Sequence, residues 1–200
     1  MKIEDIMELV QAEKSKPYSS TYRVTALSTC TSLQLTNTVA LNEGKKRHEL
    51  IQAKYKDKYF MEVEIAVNIE GILITGHVDM LDPENLMVYE IKSTHIFPSY
   101  FRQLAMYVSM LRRLTGDQWW GSFVLYKQTG SDLNLVFEKV IYLDTTILDQ
   151  VVQNIRQGRL KIAGEYCDIC AHLDRCDRPY RWKGKDAVVV DEIKLDRGWF

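Results

Sequence analysis

Two carboxylates and an ammonium interrupt a pair of apolar segments near the middle of the chain. Asp79 lies in a run rich in Val, Ile and Leu, and Glu90 and Lys92 lie in the next run, beyond an Asp-Pro-Glu-Asn turn. A hairpin symmetric about this turn places Asp79 opposite Glu90, and residues two apart, such as Glu90 and Lys92, leave a strand on one face. Like charges at close range are costly without a cation, so the pattern predicts Mg²⁺ or Mn²⁺ bound by oxygen ligands.

A divalent ion held there would activate a water molecule and polarise a phosphodiester, while Lys92 stabilises the negative charge that develops on the phosphate. The alternative is that Asp79, Glu90 and Lys92 face solvent on an open sheet. Taken alone, G-x-x-D followed by E-x-K is a weak pattern and does not exclude that alternative.

Two pairs of residues in the flanking segments favour the metal site. Gly44 and His48 stand four apart in a helical segment upstream, where His48 could supply a nitrogen ligand. Gln103 and Tyr107 stand four apart in the helical segment downstream, so they share one face and could hydrogen-bond a DNA base or phosphate. The competing interpretation is a surface histidine and an amphipathic helix with a polar edge.

Three of the four cysteines fall in one loop, YCDICAHLDRCDRP, with the spacing C-x₂-C-x₅-C. A C-x₂-C pair chelates a metal, and the remaining cysteine, Cys30, could complete the site from a distant part of the chain. Four thiolates suit an iron–sulfur cluster. Zn²⁺ could use the same four thiolates or the local set Cys167, Cys170, His172 and Cys176.

The segments that must position these residues alternate between helical and strand periodicity. The pattern predicts helices over residues 1–12, 26–35, 38–55, 98–116 and 144–162, and strands over 58–70, 72–81, 86–93, 119–127 and 133–143. Residues 14–23 are polar and predict a loop. The predicted fold class is α/β, with a mixed five-stranded sheet flanked by helices.

Composition limits the functional classes. The chain has 200 residues, of which 46% are hydrophobic, so a single globular domain with a sizeable core is expected. The net charge is −1, so a nucleic-acid partner must be held by local basic patches such as Lys45, Lys46 and Arg47. No apolar run has membrane-spanning length and no signal-peptide pattern opens the sequence, which predicts a cytoplasmic protein without a membrane partner.

In chain order the motifs are G-x₃-H, G-x-x-D, E-x-K and Q-x₃-Y, which resembles the RecB-like branch of the PD-(D/E)xK nucleases. The resemblance implies a restriction-endonuclease-like core over residues 38–162 that acts with one or two Mg²⁺ or Mn²⁺ ions. The proline that precedes the aspartate in the wider family is replaced here by Val78. The resemblance implies metal ligands at His48, Asp79, Glu90 and the carbonyl of Ile91, and catalytic roles for Lys92, Asp79, Glu90, Gln103 and Tyr107, the last two positioning DNA.

One upstream cysteine, a nuclease core and three later cysteines resemble the layout of the fourth CRISPR-associated (Cas) protein family. That resemblance implies an iron–sulfur cluster, 4Fe-4S or 2Fe-2S, in a region made from residues 1–37 and 163–200 that joins the two ends of one domain spanning 1–200. The implied cluster ligands are Cys30, Cys167, Cys170 and Cys176.

The activity implied by the same resemblance is a metal-dependent 5′→3′ exonuclease on single-stranded DNA, with endonuclease or strand-separating activity as a further option. The implied role is CRISPR spacer acquisition together with the CRISPR integrase complex. Two alternatives stay open: a zinc-stabilised non-catalytic DNA-binding module, and a nuclease of recombination or repair. The C-terminal tail is compatible with either a short strand or a homo-oligomer contact.

Overall fold

The computed structural model describes residues 1–29, 38–93, 95–129, 132–140, 143–144, 146–159 and 188–189. The helices in these ranges are α1 (Ile3–Ser15), α2 (Val24–Ser28), α3 (Thr38–Tyr55), α4 (Pro98–Thr115) and α5 (Ile147–Arg156). The strands are β1 (Ser20–Arg23), β2 (Phe60–Ile69), β3 (Ile72–Asp82), β4 (Met87–Ser93), β5 (His95–Ile96), β6 (Trp120–Thr129), β7 (Asp132–Val140) and β8 (Val188–Val189).

A six-stranded mixed sheet forms the centre of the described part of the chain, and β3 is its longest strand. β2 pairs antiparallel along one edge of β3. On the other edge, β1 pairs parallel with Ile72–Thr75, and β4 pairs antiparallel with Met80–Asp82. The sheet continues from β4 to β6 in parallel and from β6 to β7 in antiparallel orientation. Residues 76–79 of β3 therefore lie between two strand partners on one edge.

The sheet corrects the predicted strand count. Five strands were expected, and the sixth is β1, which lies in the polar segment interpreted as a loop. The four residues of β1, Ser-Thr-Tyr-Arg, show no alternation of apolar and polar side chains. Only their backbone pairing with β3 identifies them as a strand. A separate two-stranded sheet pairs β5 with β8, so the short-strand option for the tail is confirmed at Val188–Val189.

Two helix boundaries also differ from the predicted ones. The helix expected over residues 26–35 is present as α2, and residues 30–37 lie outside the described ranges. The helix expected to reach residue 162 ends at Arg156, shortly before Gly158 adopts a left-handed backbone with φ of 68°.

Each face of the sheet carries its own apolar cluster. The larger cluster packs the sheet against α1, α2, α4 and α5, and Ile6, Val24 and Leu104 are fully buried in it. The smaller cluster packs the opposite face against α3 through Ile51. Because α1 and α2 contribute to the larger cluster, residues 1–29 are built into the sheet domain.

The residues at both ends of α4 fix where the helix begins and ends, and one hydrogen bond ties it to α2. Pro98 begins the helix, where its missing N–H is not needed, and Gly116 ends it with φ of 76° and an N–H donated to the Arg112 carbonyl at 2.9 Å. Arg102 Nε donates to the Ser28 carbonyl at 2.7 Å, which ties α4 to the end of α2. Among the described helices, none combines the length and the hydropathy that crossing a membrane requires.

Candidate active site

The hairpin brings Asp79 and Glu90 together in the predicted register. Met80 pairs with Tyr89, and the same register extended by one residue places Asp79 opposite Glu90. The β3–β4 ladder ends at this point, and the Ile91 N–H donates to Asp79 Oδ2 at 2.7 Å. A side-chain carboxylate thus takes the place of a main-chain acceptor, and the two strands separate around it.

Glu90 lies at the bottom of this separation with no solvent exposure. Its Oε2 accepts a hydrogen bond from Lys92 Nζ at 2.9 Å, and its Oε1 accepts one from Gln103 Nε2 at 2.9 Å. Burial, followed by the negative charge of Asp79, raises the pKa of Glu90 to about 8. The Asp79 carboxylate also interacts with the Glu90 carboxyl group, which favours the protonated form of Glu90. Without a bound cation, Glu90 therefore holds a proton at neutral pH.

The pKa of Asp79 shifts in the opposite direction, below its usual value. Burial favours its neutral form, but the contact with His48 and the charge of Lys92 outweigh burial and lower the pKa of Asp79. His48 Nδ1, on α3, lies 3.6 Å from Asp79 Oδ1. The pair therefore contains one ionised carboxylate and one that is protonated, which is the usual result when two acids share a buried site.

Lys92 stays charged in this surrounding. Burial alone would lower the pKa of Lys92, but the charges of Glu90 and Asp79 dominate, and the pKa is raised above its usual value. The ammonium group also lies 5.0 Å from the centre of the Tyr100 ring, at cation–π range. An ammonium in this state donates hydrogen bonds and does not act as a base.

The donor set fits a hard divalent cation. Two carboxylates and an imidazole nitrogen lie close together, and Mg²⁺ or Mn²⁺ bound there would replace the proton on Glu90, so that both carboxylates could act as ligands. Contacts among them are pairwise: His48 with Asp79, and Asp79 with Glu90. Among the described residues, no group of three or more His, Cys, Asp or Glu side chains is arranged so that it could hold a metal ion as it stands. The assignment of His48, Asp79, Glu90 and the Ile91 carbonyl as ligands stays a prediction.

Tyr107 explains why the motif on β3 begins with glycine. A Cβ at Gly76 would lie 2.5 Å from Tyr107 Cε1, so the tyrosine ring occupies the space that any other side chain would need. Tyr107 is only 1% exposed, and the Gln103 side chain and the His77 backbone interact with its hydroxyl group. It therefore fills the edge of β3 that lies between β1 and β4. Its predicted contact with DNA is not tested by these contacts.

The structure describes the predicted basic patch but not the predicted cysteine ligands. Lys45 and Lys46 are exposed, whereas Arg47 is half-buried, 6.0 Å from the Tyr126 ring centre and ion-paired with Glu43. Their predicted phosphate contacts stay predictions. The four cysteines of the predicted iron–sulfur site lie outside the described residues: Cys30, Cys167, Cys170 and Cys176.

Two residues of the site were missed by sequence reasoning. Gln52 Nε2 donates to the Asp79 carbonyl at 3.1 Å and to Glu62 Oε1 at 2.6 Å. The signal available for Gln52 was its position four residues after His48, which places both on one face of α3. Glu62 is exposed on β2, and nothing in the alternating pattern of that strand marks it as different from its neighbours.

Comparison with known proteins gives a likeness in fold. No family model matches the sequence, and no curated protein matches it. The crystal structure of SSO0001 superposes with a TM-score of 0.59 at 16% identity, over 90% of this chain and 97% of that one. A protein from Eubacterium rectale, provisionally named an exonuclease, superposes with a TM-score of 0.43 at 17% identity, over 70% of this chain and 60% of that one. The first likeness shows a shared fold, and the second is too distant to carry an argument.

Proposed function

We propose that this chain is a metal-dependent nuclease that hydrolyses phosphodiester bonds in DNA. The observation that carries the proposal is the grouping of two buried carboxylates, Asp79 and Glu90, where β3 and β4 separate, with the Lys92 ammonium bonded to Glu90. Burying ionisable groups in a sheet costs stability compared with apolar residues of similar size. A polar cluster of this kind therefore points to chemistry more than to packing.

The residues divide into ligands and supporting groups. Asp79, Glu90, His48 and the Ile91 carbonyl would hold Mg²⁺ or Mn²⁺, which when bound supplies a Lewis acid and a more acidic water molecule. Lys92, held as an ammonium, stabilises the negative charge that develops on the phosphate oxygens. Gln103 and Tyr107, on one face of α4, hold Glu90 and the edge of β3 in place.

The central test replaces the two groups that carry the chemistry. Asp79→Asn removes a charge without changing side-chain size, and Lys92→Ala removes the ammonium. Each should lower the rate of Mn²⁺-dependent cleavage of single-stranded DNA by about 100-fold or more, the scale seen when one preorganised electrostatic group is removed. The matched controls are Asp149→Asn on the exposed part of α5 and Lys14→Ala on α1, which should keep the wild-type rate. Full activity in both site variants would contradict the proposal.

The direction of digestion is a finer part of the proposal. Substrates labelled at the 5′ end release the label as a mononucleotide at once if digestion starts there, whereas 3′-labelled substrates lose it last. A circular single strand reports endonuclease activity separately, because it has no end. The 5′→3′ exonuclease assignment rests on the family resemblance of the four motifs, and release from the 3′ label first would overturn it.

The cofactor and the biological role are also proposed from resemblance. Four cysteines, one upstream and three close together in the C-terminal part of the sequence, support an iron–sulfur cluster. Iron, acid-labile sulfide and zinc analysis of anaerobically purified protein separates the cluster from the zinc alternative, because the zinc protein is colourless. The role in spacer acquisition predicts trimming of single-stranded overhangs on DNA supplied to a CRISPR integrase complex, and a repair nuclease would show no dependence on that complex.

A further inference from the structure

A break in the pairing of β2 and β3 lies beside the site. Met61 pairs with Met80 and Val63 pairs with Val78, yet Glu62 and Asp79, which stand opposite each other between these pairs, are not paired. Glu62 has a φ of 49°, a left-handed backbone that a residue with a side chain rarely adopts. Strain of this kind persists only where the surrounding structure holds it.

The side chains change face across this break. Val63 and Val78 belong to the larger apolar cluster, on the face of the sheet that α4 covers. Met80 belongs to the smaller cluster, on the face that α3 covers, and Met61 packs against that cluster. In a regular strand, residues two apart lie on the same face. Both strands therefore invert at Glu62 and Asp79, which turns the Asp79 carboxylate away from either apolar face and into the gap next to Glu90.

One side chain bridges the break. Gln52 Nε2 donates one hydrogen to the Asp79 carbonyl and the other to Glu62 Oε1. Both partners are acceptors, so the amide nitrogen must be the atom that faces them. His48, one turn earlier on α3, contacts the Asp79 carboxylate. A single helix thus holds Asp79 at its main chain and at its side chain.

We infer that Gln52 is a positioning residue of this site, kept in orientation by Glu62, and that the pair holds the inverted backbone that aims Asp79 at Glu90. Neither residue has to touch metal or DNA for this role. Groups that orient a metal ligand in this way commonly change metal affinity when they are removed. The inference rests on the proposed function, since the ligand that Gln52 positions is the proposed metal ligand Asp79.

The test uses the full chain and Mn²⁺ alone as the first probe. Gln52→Leu removes both donated hydrogen bonds at similar size, and it should weaken Mn²⁺ binding about 10-fold by calorimetric titration. With single-stranded DNA, kcat should fall while KM for DNA stays near the wild-type value. Backbone amides around Glu62 and Asp79 should exchange hydrogen faster, because the bridge across the break is gone.

The controls separate positioning from general damage. Glu62→Gln keeps an acceptor oxygen for Gln52 and should behave as the wild type, whereas Glu62→Ala should weaken Mn²⁺ binding less than Gln52→Leu does. Gln153→Leu, at an exposed position of α5, should change nothing. Wild-type Mn²⁺ affinity in Gln52→Leu would overturn the inference, as would equal loss in Gln153→Leu.

Different results would contradict the proposed nuclease function and the positioning role of Gln52. If Asp79→Asn cleaves DNA as the wild type does, the proposed function is wrong. If Asp79→Asn is inactive and Gln52→Leu is indistinguishable from the wild type in Mn²⁺ affinity, kcat and amide exchange, only the positioning role of Gln52 is wrong.

Discussion

The two halves of β3 differ in how the strand is paired and in what its side chains contact. Ile72–Thr75 pairs on both edges, with β1 and β2, and its apolar residues are buried. From Gly76 to Asp79 the strand pairs with no other described strand on the β1–β4 edge, and its pairing with β2 is interrupted at Asp79. In this second half, the Gln52 and Asp79 side chains hydrogen-bond backbone groups near the break, and the Tyr107 ring packs on Gly76.

The difference between the two halves of β3 shows where charged side chains can lie within a sheet. A continuous ladder leaves no room between strands, so carboxylates on it must point to a face. Where the ladder stops, the separation between β3 and β4 accepts Asp79 and Glu90 within the sheet, reached by α3 from one face and α4 from the other. The regular half is therefore expected to govern stability, and the interrupted half to govern the proposed metal binding and catalysis.

The largest effect on stability is expected in the regular half. Ile74 is fully buried and paired with both neighbouring strands, so Ile74→Ala should cost about 2–5 kcal/mol of unfolding free energy. Urea unfolding measures the loss. Because the site lies beyond this half, the folded fraction should still bind Mn²⁺ with near wild-type affinity, and a parallel loss of affinity would show that the halves are not separable.

Gly76→Ala should affect both halves, because the added methyl group meets the Tyr107 ring. Overpacking of this kind costs about 1–3 kcal/mol, and displacement of Tyr107 should lower the rate of DNA cleavage as well. Gly44→Ala is the matched control. Nothing lies within 4 Å of a Cβ at Gly44 on α3, so that substitution should raise the free energy of unfolding by about 0.5–1 kcal/mol. Thermal unfolding of both variants checks the contrast.

The pH dependence of stability should report Glu90 in protein freed of metal by a chelator. The pKa of Glu90 is raised in the folded state from 4.5 to about 8. A raised pKa stabilises the fold below the unfolded value, and this contribution is lost as pH rises through the folded value. Wild-type unfolding free energy should therefore fall more steeply than that of Glu90→Gln between about pH 5 and pH 9.

Urea titrations at several pH values compare the two proteins. Glu64→Gln serves as the control, since Glu64 is half-exposed on β2 and should leave the wild-type slope unchanged. Identical pH slopes for the wild type and Glu90→Gln would contradict the burial of a shared proton in the site.

The smallest effect is expected at the surface of the regular part of β2. Lys14 on α1 pairs with Glu64 at 2.9 Å, and both side chains are about one-third exposed. Such pairs contribute about 0.2–1 kcal/mol, so Lys14→Ala should shift thermal unfolding only slightly and less at high salt. A loss of cleavage activity in this variant would mean that α1 influences the site.

Much of the fold could be predicted from periodicity. The helix over residues 38–55, the strand pair around Gly71 and the helix from Pro98 to Gly116 appear with the expected bounds or close to them. Long segments with a clear apolar repeat carry their own signal. β1 was missed because four polar residues have none, and the order of strands in the sheet depends on pairings between segments that are distant in the sequence.

The features of the site also fall into those that the local sequence predicts and those that it does not. The types and spacing of Asp79, Glu90 and Lys92 are local properties, and the turn between the two strands determined their register, so the sequence alone was sufficient to predict that these residues meet. The inversion at Glu62, the bridging role of Gln52 and the fit of Tyr107 over Gly76 were decided only by tertiary structure. The physical reason is that each depends on where separate segments pack against one another, and no repeat within a single segment encodes that placement.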